Sequence, residues 1–307
     1  MVMLADQDVH LQSVATNALG TREGAIVVID PQTGHLRAVV NAPLAFQSAF
    51  PPGSTIKPFT TLAGLRSGVI TKDTRIRCAG KQKKGDAIDA CSHPSNLDPF
   101  GPVEALAYSC NHYFATVGER LEEDSLAHLL SLFGFGQATG IDAERESTGI
   151  LVRGSRASES TIGEGPLVQV TPIQLAMAYA ALVNGGRLLI PTQALAKGVR
   201  AQLRIEDQER SILMAGMRGA VIYGTAEKAD LASLPAYVVG KTGTSTQLQG
   251  FRSQGWFVGV AFADDKQTRP WDAQLLVVVF MKKAHGSEAA EVAAPIFEAF
   301  ARAGNNA

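Results

Sequence analysis

The sequence predicts an α+β fold: an antiparallel sheet flanked by helices, with a helical region inserted between its strands. Three observations carry this. Two β-rich runs, AIVVID (25–30) and HLRAVV (35–40), flank the turn residues PQTG and read as a hairpin. Three more strand-like runs, AYVVGKTGT, GWFVGVAFA and LLVVVFM, lie near the other end. Between them, from about 54 to 225, helical patterns alternate with polar loops. A hairpin alone is marginal in water, so strands from both ends are expected to share one sheet.

Taken in order, residues 6–19 suit a helix. Asp6 is its expected N-cap, and Val9, Leu11, Val14, Ala18 and Leu19 are available for burial. The hairpin follows. FPPGSTIKPFT (50–60) then opens a helix near Ser54, because Pro58 cannot donate a hydrogen bond back to residue 54. Ile56, Phe59, Leu62 and Ala63 form its apolar stripe, and Ser54, Lys57 and Thr61 fall on the opposite side. In VTPIQLAMAYAALVNGG, Thr171 suits the N-cap, Pro172 the first position and Gly185 the exit. This helix is apolar nearly all round and is expected inside the helical region. ADDKQTRPWD supplies the last turn between strands, and residues 287–302 read as a closing helix.

At 307 residues, 46% hydrophobic and 19% charged, the chain can bury a substantial core. A net charge of −1 favours neither nucleic acid nor an anionic membrane. No apolar run reaches membrane-spanning length, and MVMLADQDVH lacks the pattern of a signal peptide. Cys78 and Cys91 fall in a polar stretch read as a surface loop, where a disulfide is compatible with an oxidising compartment. Cys78, Cys91 and His93 as zinc ligands are disfavoured, since CxxC spacing is absent and no fourth ligand is evident. Cys110 reads as a small buried residue. Arg75, Arg77, Lys81, Lys83 and Lys84 read as a solvated basic face.

S-x-x-K at Ser54–Lys57 is weak by itself. Its bland reading is an ordinary helix start with a solvated lysine. Two further patterns change this: SCN at 109–111, the only S-x-N in the chain, and KTGT at 241–244 on a strand. Ser109 and Asn111 alone would read as buried helix polar groups. A phosphate-loop reading of GKTGTS fails because Pro235 stands where the first glycine should be. The trio SxxK, SxN, KTG in this order is a signature of penicillin-recognising enzymes.

With these motifs, the chain resembles the transpeptidase domain of the penicillin-binding proteins, from about Ala25 to Phe300. VVIDPQTGHLRAVV, FGFGQATGID, VTPIQLAMAYAALVNGG, GTAEKA and AAPIFEAF match further landmarks in order. The resemblance implies a five-stranded antiparallel sheet beside an all-helical subdomain, in one domain over 1–307. The sheet part would take about 1–53 and 226–307, and the helical part about 54–225.

The implied activity is peptidoglycan D,D-transpeptidation: a serine is acylated by a D-Ala-D-Ala stem peptide, which an amine acceptor then takes. Carboxypeptidase trimming is left open. The implied roles are Ser54 as nucleophile, Lys57 as base and Ser109 as proton relay. Asn111 would hold the substrate amide, and Lys241, Thr242 and Thr244 its terminal carboxylate. Gly243 would leave room for a substrate lying along the strand. The backbone N–H groups of Ser54 and Thr244 would form the oxyanion hole.

The resemblance implies no cofactor and no metal. Stem peptides are the implied partners, β-lactams the inhibitors, and a cell-wall synthesis complex setting cell shape the context. The location would be extracytoplasmic, with a membrane anchor in the full-length protein and no membrane segment here. Two landmarks depart from the family: His93-Pro94 for His-Gly, and Glu164 where glutamine is common. Two other readings are a β-lactamase and a penicillin sensor that stays acylated. The first needs a deacylating base, and E-x-x-L-N is absent after SCN, while Glu144 and Glu146 sit in ERESTGIL, which resembles a peptidoglycan-enzyme loop instead.

Overall fold

The strands expected at the two ends of the chain meet in one sheet. The computed structural model describes residues 6–78, 91, 93, 94, 97, 99–141, 145–154, 158–193, 198–247, 250–262 and 272–304. First come α1 (Asp6–Leu19), β1 (Gly24–Ile29), β2 (Leu36–Val40), α2 (Ala42–Gln47), a 3-10 turn (Gly53–Ile56) and α3 (Lys57–Arg66). The middle holds α4 (Pro102–Ala107), α5 (Asn111–Arg120), α6 (Ser125–Leu132), β3 (Ile150–Leu151), α7 (Ser158–Ile162), β4 (Val168–Gln169) and α8 (Pro172–Val183). It continues through β5 (Arg187–Leu189), β6 (Val199–Gln202) and α9 (Asp207–Ile222). Last come β7 (Tyr237–Gln247), β8 (Gly250–Phe262), β9 (Ala273–Lys282) and α10 (Gly286–Gly304).

The sheet is antiparallel, in the order β2-β1-β9-β8-β7. The β1–β2 turn is fixed by Asp30, whose carboxylate accepts from Gln32 N–H (2.7 Å) and Thr33 Oγ1 (2.8 Å). The central strands are buried on both faces, and alternation divides their side chains. Ile26, Val28, Val277 and Val279 face α1 and α10. Ala25, Val27, Val278 and Phe280 face the helical region.

Thr171 caps α8 by accepting from Gln174 N–H (3.2 Å), and all twelve α8 residues are buried against the sheet and neighbouring helices. In α1, Asp6 is the first helical residue rather than the cap before it. Val9, expected in the core, is 55% exposed, and Ala15 takes the buried position instead. The region between the two halves of the sheet also holds two short ladders, β3–β4 and β5–β6, where only helices and loops were expected. Runs of two to four residues are too short to leave a periodic signal. The turn expected from ADDKQTRPWD falls mostly on residues 263–271, outside the described residues, as do Lys81, Lys83 and Lys84.

Candidate active site

Pro51, Pro52 and Gly53 lead the chain into the 3-10 turn that carries Ser54, and α3 continues from Lys57 with Pro58 at its start. This turn is held from three sides. Trp256 Nε1 (3.0 Å) and Ser245 Oγ (2.9 Å) donate to Pro51 O, Gly53 N–H donates to Gly163 O (3.0 Å), and Tyr179 OH donates to Thr55 O (2.6 Å). Below it, Phe59 packs edge-on against Phe133, Phe135 and Tyr179, with centroids 5.1–5.4 Å apart. Burying such a side chain stabilises by about 1.5–3 kcal/mol. The nucleophile candidate therefore rides on a rigid segment. None of Tyr179, Trp256 and Ser245 stood out in the sequence, because their role depends on contacts far along the chain.

The face of α3 opposite the apolar stripe is not solvated. Lys57 and Thr61 are fully buried. Lys57 Nζ donates to Ser109 O (2.8 Å), Ser109 Oγ (3.2 Å) and Asn111 Oδ1 (2.6 Å). Lys241, also fully buried, donates to Ser109 Oγ (2.9 Å) and Thr242 O (3.0 Å). Ser109 thus joins two amines at one hydroxyl, and its backbone is left-handed, with φ 55°, a conformation a non-glycine residue keeps only when its surroundings enforce it. Burial lowers the Lys57 pKa to about 8. Burial, and then the charge of Lys57, holds Lys241 well below the ordinary lysine range.

β7 is the edge strand of the sheet, and its KTGT segment borders the cleft. Thr242 Oγ1 lies 2.5 Å from Thr225 Oγ1, and Thr244 Oγ1 accepts from Gly286 N–H (3.0 Å) at the start of α10. A Cβ on Gly243 would sit 2.8 Å from Pro52 O and 2.9 Å from Thr55 Cγ2, so its bareness admits the turn that carries Ser54. The cleft, of about 390 Å³, is lined by Ser54, Ser109, Asn111, Thr242 and Thr244 together with Glu164 and His285. Glu164 Oε2 accepts from Thr246 N–H and Thr246 Oγ1, both at 3.1 Å, on the free edge of β7. Five of the eight residues singled out from the three motifs line this cleft, buried Lys57 and Lys241 reach it through Ser109, and Gly243 packs against the Ser54 turn.

A model of the penicillin binding protein transpeptidase domain matches residues 24–302. The chain belongs to this transpeptidase family. Peptidoglycan D,D-transpeptidase MrdA of Acinetobacter baumannii is 28% identical over 363 residues, covering 95% of this chain and 52% of that protein. Stage V sporulation protein D of Bacillus subtilis is 32% identical over 251 residues, covering 74% of this chain and 38% of that protein. The transpeptidase domain thus spans about half, or less, of the length of these relatives. The crystal structure of Pseudomonas aeruginosa PBP2 in complex with WCK 5153 superposes with a TM-score of 0.79 at 27% identity, over 95% of this chain and 74% of that one. The D,D-transpeptidase domain of a peptidoglycan glycosyltransferase from Eggerthella lenta shares the fold, with a TM-score of 0.73 at 22% identity. The five-stranded antiparallel sheet with flanking helices is the architecture of this transpeptidase family.

Two cysteines of this transpeptidase domain depart from expectation. Cys78 and Cys91, placed in a surface loop from sequence, are buried; Cys110 is buried as expected, and none of the three forms a disulfide. With His93 they gather behind the SCN turn.

Proposed function

We propose that the chain acts, over 1–307, as one peptidoglycan D,D-transpeptidase domain, acylated at Ser54 by a D-Ala-D-Ala stem peptide. The observation that carries this reading is the convergence of two buried amines on Ser109 Oγ beside an open sheet edge. The similarity to a peptidoglycan D,D-transpeptidase, MrdA, supports the same chemistry.

Ser54 Oγ attacks the carbonyl carbon of the penultimate D-Ala, and its proton passes to neutral Lys57. The oxyanion is met by the N–H groups of Ser54 and Thr244; Gly53, the residue before Ser54, packs against Thr244, where a Cβ on Gly53 would lie 2.9 Å from Thr244 N. The C–N bond breaks, and the departing amine takes a proton relayed through Ser109. An acceptor amine then attacks the ester and restores Ser54. Asn111 orients the substrate amide; Lys241, Thr242 and Thr244 hold its carboxylate. The substrate lies along β7 as an added strand. Stem peptides are the substrates, β-lactams the covalent inhibitors, and a cell-wall synthesis complex the setting. The location is extracytoplasmic. Among the described residues no helix is long and apolar enough to cross a membrane.

The amine pair gives this reading a sign in pH. Two adjacent buried cations disfavour each other, so the pair carries one proton near neutrality. In the resting site that proton sits on Lys57, within reach of three acceptors. A substrate carboxylate beside Lys241 draws it across: Lys57 donates to Ser109 Oγ while Ser109 donates its own proton to Lys241. Lys57 is then the neutral base, created by the substrate's arrival. Above pH about 8 Lys57 is deprotonated in the free domain, leaving no proton for Lys241. The second-order rate of acylation by benzylpenicillin is therefore expected to fall as pH rises from about 8 to 10. A rate still climbing through pH 9 would defeat the shared-proton mechanism.

A β-lactamase reading has one observation in its favour. Glu164 is the one carboxylate among the described residues lining the cleft, whereas Glu146 is committed to Thr139 N–H and Gly140 N–H. Glu144 lies outside the described residues. Intact mass after benzylpenicillin, followed by peptide mapping, separates the readings. A one-to-one adduct on the Ser54 peptide, persisting for many minutes, is expected. Rapid loss of the adduct with drug hydrolysis would make the domain a β-lactamase; no adduct on folded protein would remove Ser54 as nucleophile.

A further inference from the structure

Glu164 is the one carboxylate among the described residues lining the cleft, and it is half-buried there. Its place is fixed from two sides. Its neighbour Gly163 accepts at the carbonyl from Gly53 N–H (3.0 Å), beside Ser54, and Thr161 O accepts from Thr60 Oγ1 (2.8 Å) on α3. The side chain reaches across to β7, where Oε2 accepts from Thr246 N–H and Thr246 Oγ1, each at 3.1 Å. Both of these donors are neutral, so they hold the carboxylate in place without cancelling its charge.

The bond to Thr246 N–H locates Glu164 on the path of the donor peptide. Successive residues of a strand turn their N–H groups to opposite sides. Thr246 N–H points to Glu164 and away from β8, so the N–H groups of Thr244 and Thr242 point the same way, to the free edge. In the transpeptidase reading, the terminal carboxylate lies at Lys241, Thr242 and Thr244, and the scissile carbonyl lies at Ser54. A donor along β7 then continues past Thr244 toward Thr246. The residue before D-Ala-D-Ala falls there, and in a stem peptide it is commonly a diamino acid whose side chain ends in an amine. The acyl side chain of a penicillin points the same way, because it is attached beside the scissile carbonyl.

We propose that Glu164 is a specificity-determining residue that selects donors carrying a charged amine on the residue before D-Ala-D-Ala. The inference rests on the transpeptidase reading and says which donors that site prefers. The ammonium meets the carboxylate at the wall of the cleft in a charge-assisted contact. A neutral or acidic side chain at the same place gains nothing from the carboxylate or is repelled by it, so one residue both attracts the right donor and disfavours the wrong one.

The test compares two penicillins that differ only at the tip of the acyl side chain. An ε-aminocaproyl chain ends in an ammonium and has the reach of a lysine side chain; a heptanoyl chain ends in a methyl group. Acylation is followed by intact mass at about pH 7, where an alkylamine is charged. The parent is expected to acylate about fivefold faster with the ammonium compound, as befits one partly exposed ion pair. Glu164→Gln keeps an acceptor for Thr246 N–H but no charge, and should bring the ratio of the two rates to about one. Glu164→Asp should keep part of the preference, and added salt should weaken it in the parent. The ratio is the informative quantity. Burial lowers the Lys57 pKa and the charge of Glu164 acts against that, so either rate alone moves with the base. Circular dichroism checks that each variant is folded. A parent ratio of one, or a preference that survives in folded Glu164→Gln, would overturn the proposal while leaving Ser54 acylation standing. An adduct that lasts longer in Glu164→Gln than in the parent would assign the carboxylate to deacylation instead. Failure of the folded parent to form an adduct with either compound would remove the transpeptidase reading, and this inference with it.

Discussion

Replacing Lys57 with methionine is expected to lower the rate of acylation by benzylpenicillin by about 10³-fold, within the ~10²–10⁴ that a positioned general base supplies. Methionine nearly fills the same volume but has no proton acceptor for Ser54 Oγ. It also releases Ser109 O, Ser109 Oγ and Asn111 Oδ1 from the amine that joins them. Stability should move much less, because two large terms oppose. Removing a fully buried amine relieves its desolvation, while three acceptors lose charge-assisted bonds of about 1.5–3 kcal/mol each. A melting curve beside the acylation rate separates a lost base from a lost fold. Folded Lys57→Met that acylates within tenfold of the parent would mean that another group takes the serine proton.

How far such a site can be seen in sequence depends on how local its causes are. The β1–β2 hairpin, the capped helix from Thr171 and the SxxK, SxN and KTG motifs are each written within a few neighbouring residues. Their meeting is not. Lys57 was readable as a lysine one turn from a serine. Its three acceptors on a turn more than fifty residues on were readable only through the family resemblance. Cys110 was read as packing because its partners lie at 78, 91 and 93, and no fixed spacing links them. Val9 satisfied the helical pattern and still faces solvent, since period alone does not say where a helix meets its neighbours. Tyr179 and Trp256 carry no local signal, and only the fold brings their polar tips to the turn around Ser54. What stayed hidden was long-range and steric. Gly243 makes the point: the sequence offers its bareness to an incoming substrate, but not the close approach of Pro52 and Thr55 that also requires it.

The same steric argument makes Gly53 a sensitive position next to Ser54. It stands at φ 54°, where a side chain is strained by about 1–2 kcal/mol. A Cβ there would lie 2.7 Å from Thr244 O, 2.8 Å from Thr244 C and 2.9 Å from Thr244 N. These are backbone atoms of an eleven-residue strand, so they cannot swing aside as the end of a flexible side chain does. Gly53→Ala must therefore push the Ser54 turn away from β7, widening the gap between the two N–H groups proposed for the oxyanion. A displacement near 1 Å at such a site costs about 10²-fold in rate. The variant is expected to acylate about 100-fold more slowly and to melt lower, by the equivalent of about 2 kcal/mol or more. Because Lys57, Ser109 and Lys241 keep their own contacts, the pH at which acylation declines should stay near that of the parent. A folded Gly53→Ala domain with an unchanged rate would mean that the contact between the Ser54 turn and β7 does not set the geometry of acylation.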